Sequence, residues 1–116
     1  VDDEPDARQL LTELFARCGA DIKTCGSVAD AVKALETFKP DILISDIGLP
    51  GEDGYSLIKR VREKEKTGGG KLPAIALTAF ARAEDRFRAL SAGYNMYVSK
   101  PVEPAELALV VYRMMS

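Results

Sequence analysis

A parallel α/β sheet with helices on both of its faces is the fold class the sequence predicts, and three observations carry it. Two short, nearly continuous apolar runs, Asp41–Asp46 and Ala74–Thr78, have the composition of strands covered on both sides. Segments of helical periodicity lie between such runs, and strands alternating with helices make a parallel sheet through right-handed crossovers. Glycine and proline fall at the joints, at Gly19, Gly26, Pro40 and Gly93. With 116 residues, 47% of them hydrophobic, the chain reads as one domain, residues 1–116, whose core needs neither disulfide nor structural metal.

Each element has a local reason. Pro5 suits the first turn of a helix in which Ala7, Leu10, Leu11, Leu14, Phe15 and Cys18 recur at helical spacing until Gly19. Ile22–Cys25 is predicted as a short strand bounded by Gly26. Ser27 then caps a second helix, with Asp30 in capping-box position and Val28, Ala31, Leu35 and Phe38 facing inward. After Pro40 comes the strand ending on Asp46, then a turn through Leu49-Pro50-Gly51 and Asp53-Gly54. A third helix follows, with Leu57, Ile58 and Val61 on one face, and the Thr67–Lys71 loop ends it. Beyond strand Ala74–Thr78, Ala83, Phe87 and Leu90 mark a fourth helix stopping near Gly93. Met96–Ser99 is a short strand before Lys100-Pro101, and a last helix from about Pro104 buries Leu107, Val110, Val111 and Met114.

Only four full strands are counted this way. Read as the end of a fifth strand lying before Asp2, Val1 makes the whole a (βα)5 unit, a piece cut from a longer polypeptide.

Charge and composition exclude several functions. Sixteen Lys plus Arg against eighteen Asp plus Glu leave a net charge of −2, so no overall basic field draws the chain to nucleic acid or an anionic membrane. The longest nearly apolar run, Ala74–Ala81, is far shorter than the ~20 residues that span a bilayer, so no membrane insertion is expected of this segment. Two cysteines and no histidine rule out a disulfide framework, a His-containing zinc site and Ser-His or Cys-His dyads. A reducing, cytoplasmic setting is expected, the parent chain being free to carry a membrane anchor elsewhere.

In a parallel α/β sheet, ligands bind where the loops at the carboxyl ends of the strands converge. At those ends the sequence has Asp2 and Asp3, Asp46, Thr78 and Lys100. Taken singly, each has an ordinary explanation: an Asp as cap or turn former, a Thr suited to a strand, a solvated lysine. Together, three carboxylates at one edge repel one another unless they share a cation, and an all-oxygen set with room for water suits Mg²⁺. A hydroxyl and a lysine facing the same point complement an anion, and a central Asp46 is placed to act as a nucleophile that forms an aspartyl phosphate.

With these residues in view, the chain from Val1 to Ser116 resembles the response-regulator receiver domains of two-component phosphorelays. Asp2-Asp3 matches the family's acidic pair, Asp46 its phosphoacceptor, Thr78 the switch hydroxyl, Tyr97 the switch aromatic, and Lys100-Pro101 the lysine with its usually cis peptide. The resemblance implies a flavodoxin-like (βα)5 doubly wound sheet of order 2-1-3-4-5, with most of the central first strand missing here and the flanking edges unpaired. On that ground the 116 residues alone are expected to fold poorly. It implies Mg²⁺ ligated by Asp3, Asp46 and the Gly48 carbonyl, with Asp2 acting mostly through water. It implies a histidine kinase or histidine phosphotransfer domain as phosphodonor, since this chain has no histidine, and an output domain or partner on the face of the fourth helix, last strand and last helix.

Gly48 replaces the bulkier residue often found two positions after the phosphoacceptor, and Phe80 stands at the corresponding place after Thr78; both leave the lifetime of the phosphate open. Ser45–Pro50 and Ala76–Ala81 look most like receivers of hybrid sensor histidine kinases, so the parent chain would be a kinase although this domain is itself a phosphoacceptor. Other readings are a stand-alone or DNA-binding response regulator and a receiver-like interaction module that takes no phosphate. An aspartate-nucleophile phosphatase would want an acid where Gly48 stands, and Gly69-Gly70-Lys71 lacks the rest of a phosphate loop. Arg82, Arg86 and Arg88 read as a solvated helix face, and Tyr97, without its motif context, as an aromatic half-buried at a sheet edge.

Overall fold

The computed structural model describes residues 1–68, 71–79 and 82–115. Five helices and three strands run in the order α1 (Pro5–Arg17), α2 (Val28–Ala34), β1 (Leu43–Asp46), α3 (Gly54–Gly68), β2 (Ala74–Thr78), α4 (Ala83–Ala92), β3 (Met96–Ser99) and α5 (Pro104–Met115). The strands form one parallel sheet in the order β1-β2-β3, with Asp46 beside Leu77 and Thr78 beside Ser99.

Strand β2 is buried along its whole length, and its alternation divides the core. Ala74 and Ala76 face a cluster with Val28, Ala31, Leu57, Ile58 and Ala89, from α2, α3 and α4. Ile75 and Leu77 face the other way, onto Phe15, Val98, Leu107 and Val111, from α1, β3 and α5. Small residues on one face and large ones on the other let the two layers of helices fit the same short strand.

Three expectations change. Ile22–Cys25 forms no strand, and the reason is its neighbours. Asp2 N–H donates to the Cys25 carbonyl at 3.0 Å, the Val1 nitrogen to the Ile44 carbonyl at 2.6 Å, and Asp46 N–H to the Val1 carbonyl at 2.9 Å. Val1 is thus a rung between Cys25 and β1, and a cavity of about 460 Å³ nearby is lined by Ile22, Lys23, Leu35, Phe38, Ile42 and Ile44. An extended segment with no partner alongside most of its length has no ladder. Second, β1 starts at Leu43, two residues later than predicted, because the register places Ile42 beside Pro73, which has no N–H to donate. Third, spacing misplaces several apolar side chains: Phe87 and Leu90 of α4 are 73% and 45% exposed, with Ala89 the buried residue of that helix, and Leu10 and Cys18 on the stripe of α1 are exposed too.

The helix ends follow their signals. Ser27 Oγ accepts the Asp30 N–H at 3.1 Å to start α2, and Gly93, at φ +130°, ends α4. A Cβ at Gly93 would come within 2.9 Å of the Arg62 side chain. That arginine donates to the Gly93 carbonyl at 2.8 and 3.0 Å, the Leu72 carbonyl at 2.7 Å, Asn95 Oδ1 at 2.9 Å and Glu65 Oε1 at 2.9 Å, tying the amino ends of β2 and β3 to α3. Glu65 in turn accepts the Leu72 N–H, and this bond and Arg62 outweigh the upward effect of burial and hold its carboxyl below the usual range. Gly69, Gly70, Phe80 and Ala81 lie outside the described residues. Among those described, no helix is long and apolar enough to cross a membrane.

Candidate functional site

The carboxyl ends of the strands carry the predicted residues to one place. Asp46 ends β1, Thr78 ends β2, Lys100 follows β3, and Asp2 and Asp3 follow the single rung of Val1. One carboxylate oxygen from each of Asp2, Asp3 and Asp46 lies within 4.8 Å of the others. Asp2 and Asp46 are 4% and 5% exposed, so their charges have lost most of their water. Lys100 Nζ donates to Asp46 Oδ2 at 2.5 Å and stands 3.8 Å from Asp2 Oδ2. Burial alone would lower the pKa of this ammonium, but the hydrogen bond and charge of Asp46, helped by Asp2 and Glu4, outweigh it and hold it above its ordinary value of 10.5.

Three carboxylates therefore face one ammonium. The donor set is all oxygen, two members are buried, and like charges this close favour a further cation. Hard oxygen donors of this kind fit Mg²⁺, with water filling the remaining positions.

The backbone supports the site closely. Arg8 Nη1 donates to the Asp2 carbonyl at 2.7 Å, and Glu4 N–H to Asp2 Oδ1 at 3.0 Å. Lys100 N–H donates to the Thr78 carbonyl at 2.7 Å, and the Lys100–Pro101 peptide is cis. Gly48 N–H points at Asp46 Oδ1 at 3.3 Å. The segment from Ile47 to Asp53 closes on itself where Gly54 N–H donates to the Ile47 carbonyl at 2.9 Å. Only glycine fits there: a Cβ on Gly54 would lie 2.6 Å from the Asp46 carbonyl oxygen.

Tyr97 is partly buried, and its hydroxyl is buried with no hydrogen-bond partner among the described residues. Burial raises its pKa, and the Arg86 guanidinium lies 5.6 Å from the ring centroid. Arg88 stacks 4.1 Å from the Tyr55 centroid, so two arginines of the solvated face, both exposed, also lie over aromatic rings on β3 and α3.

Asp2, Asp3, Asp46 and Lys100 thus meet; Thr78 sits at the neighbouring strand end and Tyr97 on the adjoining strand. Sequence reasoning missed Arg8, whose role is a bond to the Asp2 backbone, and Tyr94, 3% exposed, whose hydroxyl reaches the Gly54 carbonyl at 2.7 Å. Neither had a signal beyond its residue type, since both contacts depend on how the chain closes.

Comparison with known proteins agrees with this geometry. An uncharacterized 14.6 kDa protein of Leptolyngbya boryana is 48% identical over 111 residues, covering 96% of this chain and 83% of that one. Hybrid signal transduction histidine kinase D of Dictyostelium discoideum is 38% identical over 114 residues, covering 93% of this chain, which spans only 7% of the kinase. The solved receiver domain of a Pseudomonas aeruginosa sensor histidine kinase, with a magnesium ion coordinated in its active site cleft, superposes with a TM-score of 0.86 at 32% identity, covering 99% of this chain and 93% of that one. The response regulator receiver domain model matches residues 1–112, and with a parallel sheet that gathers its acids and lysine at one edge, the chain belongs to that family of two-component signalling domains.

Proposed function

We propose that this domain accepts a phosphoryl group on Asp46 from a phosphohistidine of a partner protein, in a Mg²⁺-dependent reaction. The observation that carries this is the meeting of Asp2, Asp3 and Asp46 with Lys100 at the carboxyl ends of the strands. An Asp46 carboxylate oxygen forms the new bond to phosphorus while the phosphorus–nitrogen bond of the phosphohistidine breaks, and the imidazole keeps the electron pair and takes up a proton. Lys100 and the Thr78 hydroxyl hold the transferred oxygens, a task of positioning and charge neutralisation. Asp3, Asp46 and the Gly48 carbonyl, with Asp2 mostly through water, would hold Mg²⁺, which would supply further neutralisation of the phosphoryl charge.

The donor is a histidine kinase or histidine phosphotransfer domain, and the likeness to hybrid kinases supports a receiver of that architecture. A phosphate brings about −1.5 to −2 charges and three strong acceptors. Drawing Thr78 toward them opens the space into which Tyr97 turns, which alters the face of α4, β3 and α5. That face exposes Phe87, Leu90, Met96, Leu109 and Tyr112, apolar surface of the kind a partner or output domain covers.

Incubation with Mg²⁺ and acetyl phosphate, followed by intact mass measurement, tests the reading. The expected result is a gain of one phosphate that requires Mg²⁺ and is absent from Asp46→Ala. A folded sample that gains none would instead support an interaction module that takes no phosphate.

A further inference from the structure

The loop that follows Asp46 contains the Gly48 carbonyl, yet little holds Gly48 itself. Its N–H makes one long contact to Asp46 Oδ1, and a Cβ there would meet nothing within 4 Å. The buried Leu49 next to it, with its N–H on the Ile47 carbonyl at 3.0 Å, anchors the middle of the loop, and its ends do the rest. At the near end, Ile47 N–H donates to the Leu77 carbonyl at 2.9 Å, continuing the sheet. At the far end, Gly54 is pressed against the Asp46 carbonyl and the Ile47 Cα so closely that a Cβ would lie 2.6 and 2.9 Å from them. Any shift of Gly54 is therefore passed directly to the backbone of Asp46.

Gly54 is held on its N–H by the Ile47 carbonyl at 2.9 Å and on its carbonyl by a side chain from forty residues away. Tyr94, just past the end of α4, is buried in the core cluster that also holds Ile47, Leu49, Leu57 and Ile58, and delivers its hydroxyl proton to the Gly54 carbonyl at 2.7 Å. A phenylalanine would fill the same apolar space and lose the hydroxyl's bond to the Gly54 carbonyl. Burial pushes the phenol up to about 12, so it stays protonated, and a donor, across the physiological range.

We propose that Tyr94 is a positioning residue for metal binding: its hydroxyl fixes Gly54, and through Gly54 the backbone of Asp46 and Gly48, in the arrangement that takes Mg²⁺. This rests on the metal site of the proposed function and names a residue that acts on it without touching it.

The test is direct Mg²⁺ titration by calorimetry of the unsubstituted chain, Tyr94→Phe and Tyr94→Met, with no phosphodonor present. A core control, Ile58→Val, lowers stability from the same cluster without removing the hydroxyl. The expected result is Mg²⁺ binding about 3- to 10-fold weaker in both Tyr94 variants and unchanged in Ile58→Val, the scale on which outer residues tune metal affinity lying at or above this. Unchanged affinity in a folded Tyr94→Phe or Tyr94→Met, or equal weakening in Ile58→Val, overturns the proposal. An unsubstituted chain that binds no Mg²⁺ overturns both this and the metal site. A chain that shows the predicted difference but takes no phosphate from acetyl phosphate overturns the phosphoacceptor reading alone.

Discussion

The two halves of this molecule obey the same rules to different effect. From Leu43 onward every strand has a partner: β2 lies between β1 and β3, buried throughout, with helices over both faces. Before Leu43, Ile22–Cys25 is tied at Cys25 to Asp2, and a cavity of about 460 Å³ lies alongside. Both halves contain apolar residues of strand type. The difference teaches that a strand is a property of a pair, since backbone groups of a lone extended segment have nothing to bond.

Truncations sharpen the contrast. Ile75→Ala, in the fully paired half, should cost about 3–4 kcal/mol, whereas Leu35→Ala, which only enlarges an existing cavity, should cost about 1 kcal/mol. Equal losses in urea unfolding would show that the two halves are packed alike.

The acidic site straddles the halves, with Asp2 and Asp3 from one and Asp46 from the other, so a shared cation should fasten them together. Mg²⁺ at ten times its dissociation constant should stabilise the chain by about 1.4 kcal/mol and leave Asp3→Ala nearly unaffected. A thermal shift of the same size in that variant would place the ion elsewhere.

The smallest effect is on alkaline stability. Because the folded pKa of Lys100 is raised above its unfolded value of 10.5, its contribution is complete below that value and is lost as pH rises through the folded one. Lys100→Met should therefore flatten the fall in stability at that end of the pH range; identical pH profiles in the two proteins would count against the Asp46 pairing.

How much of this was legible in the sequence follows from the same contrast. Ala74–Thr78 was placed to the residue because an unbroken apolar run between polar stretches has few other uses, and the acids and Lys100 could be gathered because strand ends of a parallel sheet converge. Ile22–Cys25 has the composition of a strand, but composition carries no information on the bonds a segment makes, and here its rung is at Cys25, to Asp2. Phe87 was given an inward reading by spacing alone, although a ten-residue helix touching the core through Ala89 has little room for it. Tyr94 was passed over since its one telling bond, to Gly54, joins positions forty apart.

Arg62 gives the sheet a mechanical character. Its guanidinium clamps the amino ends of β2 and β3 to α3, at the pole opposite the acids. The carboxyl end of β3 is fastened too, where Lys100 N–H donates to the Thr78 carbonyl at 2.7 Å. Lys100 therefore meets Asp46 from a strand moored at both ends, so the distance between ammonium and carboxylate is set by two anchorages rather than by the reach of a free side chain alone.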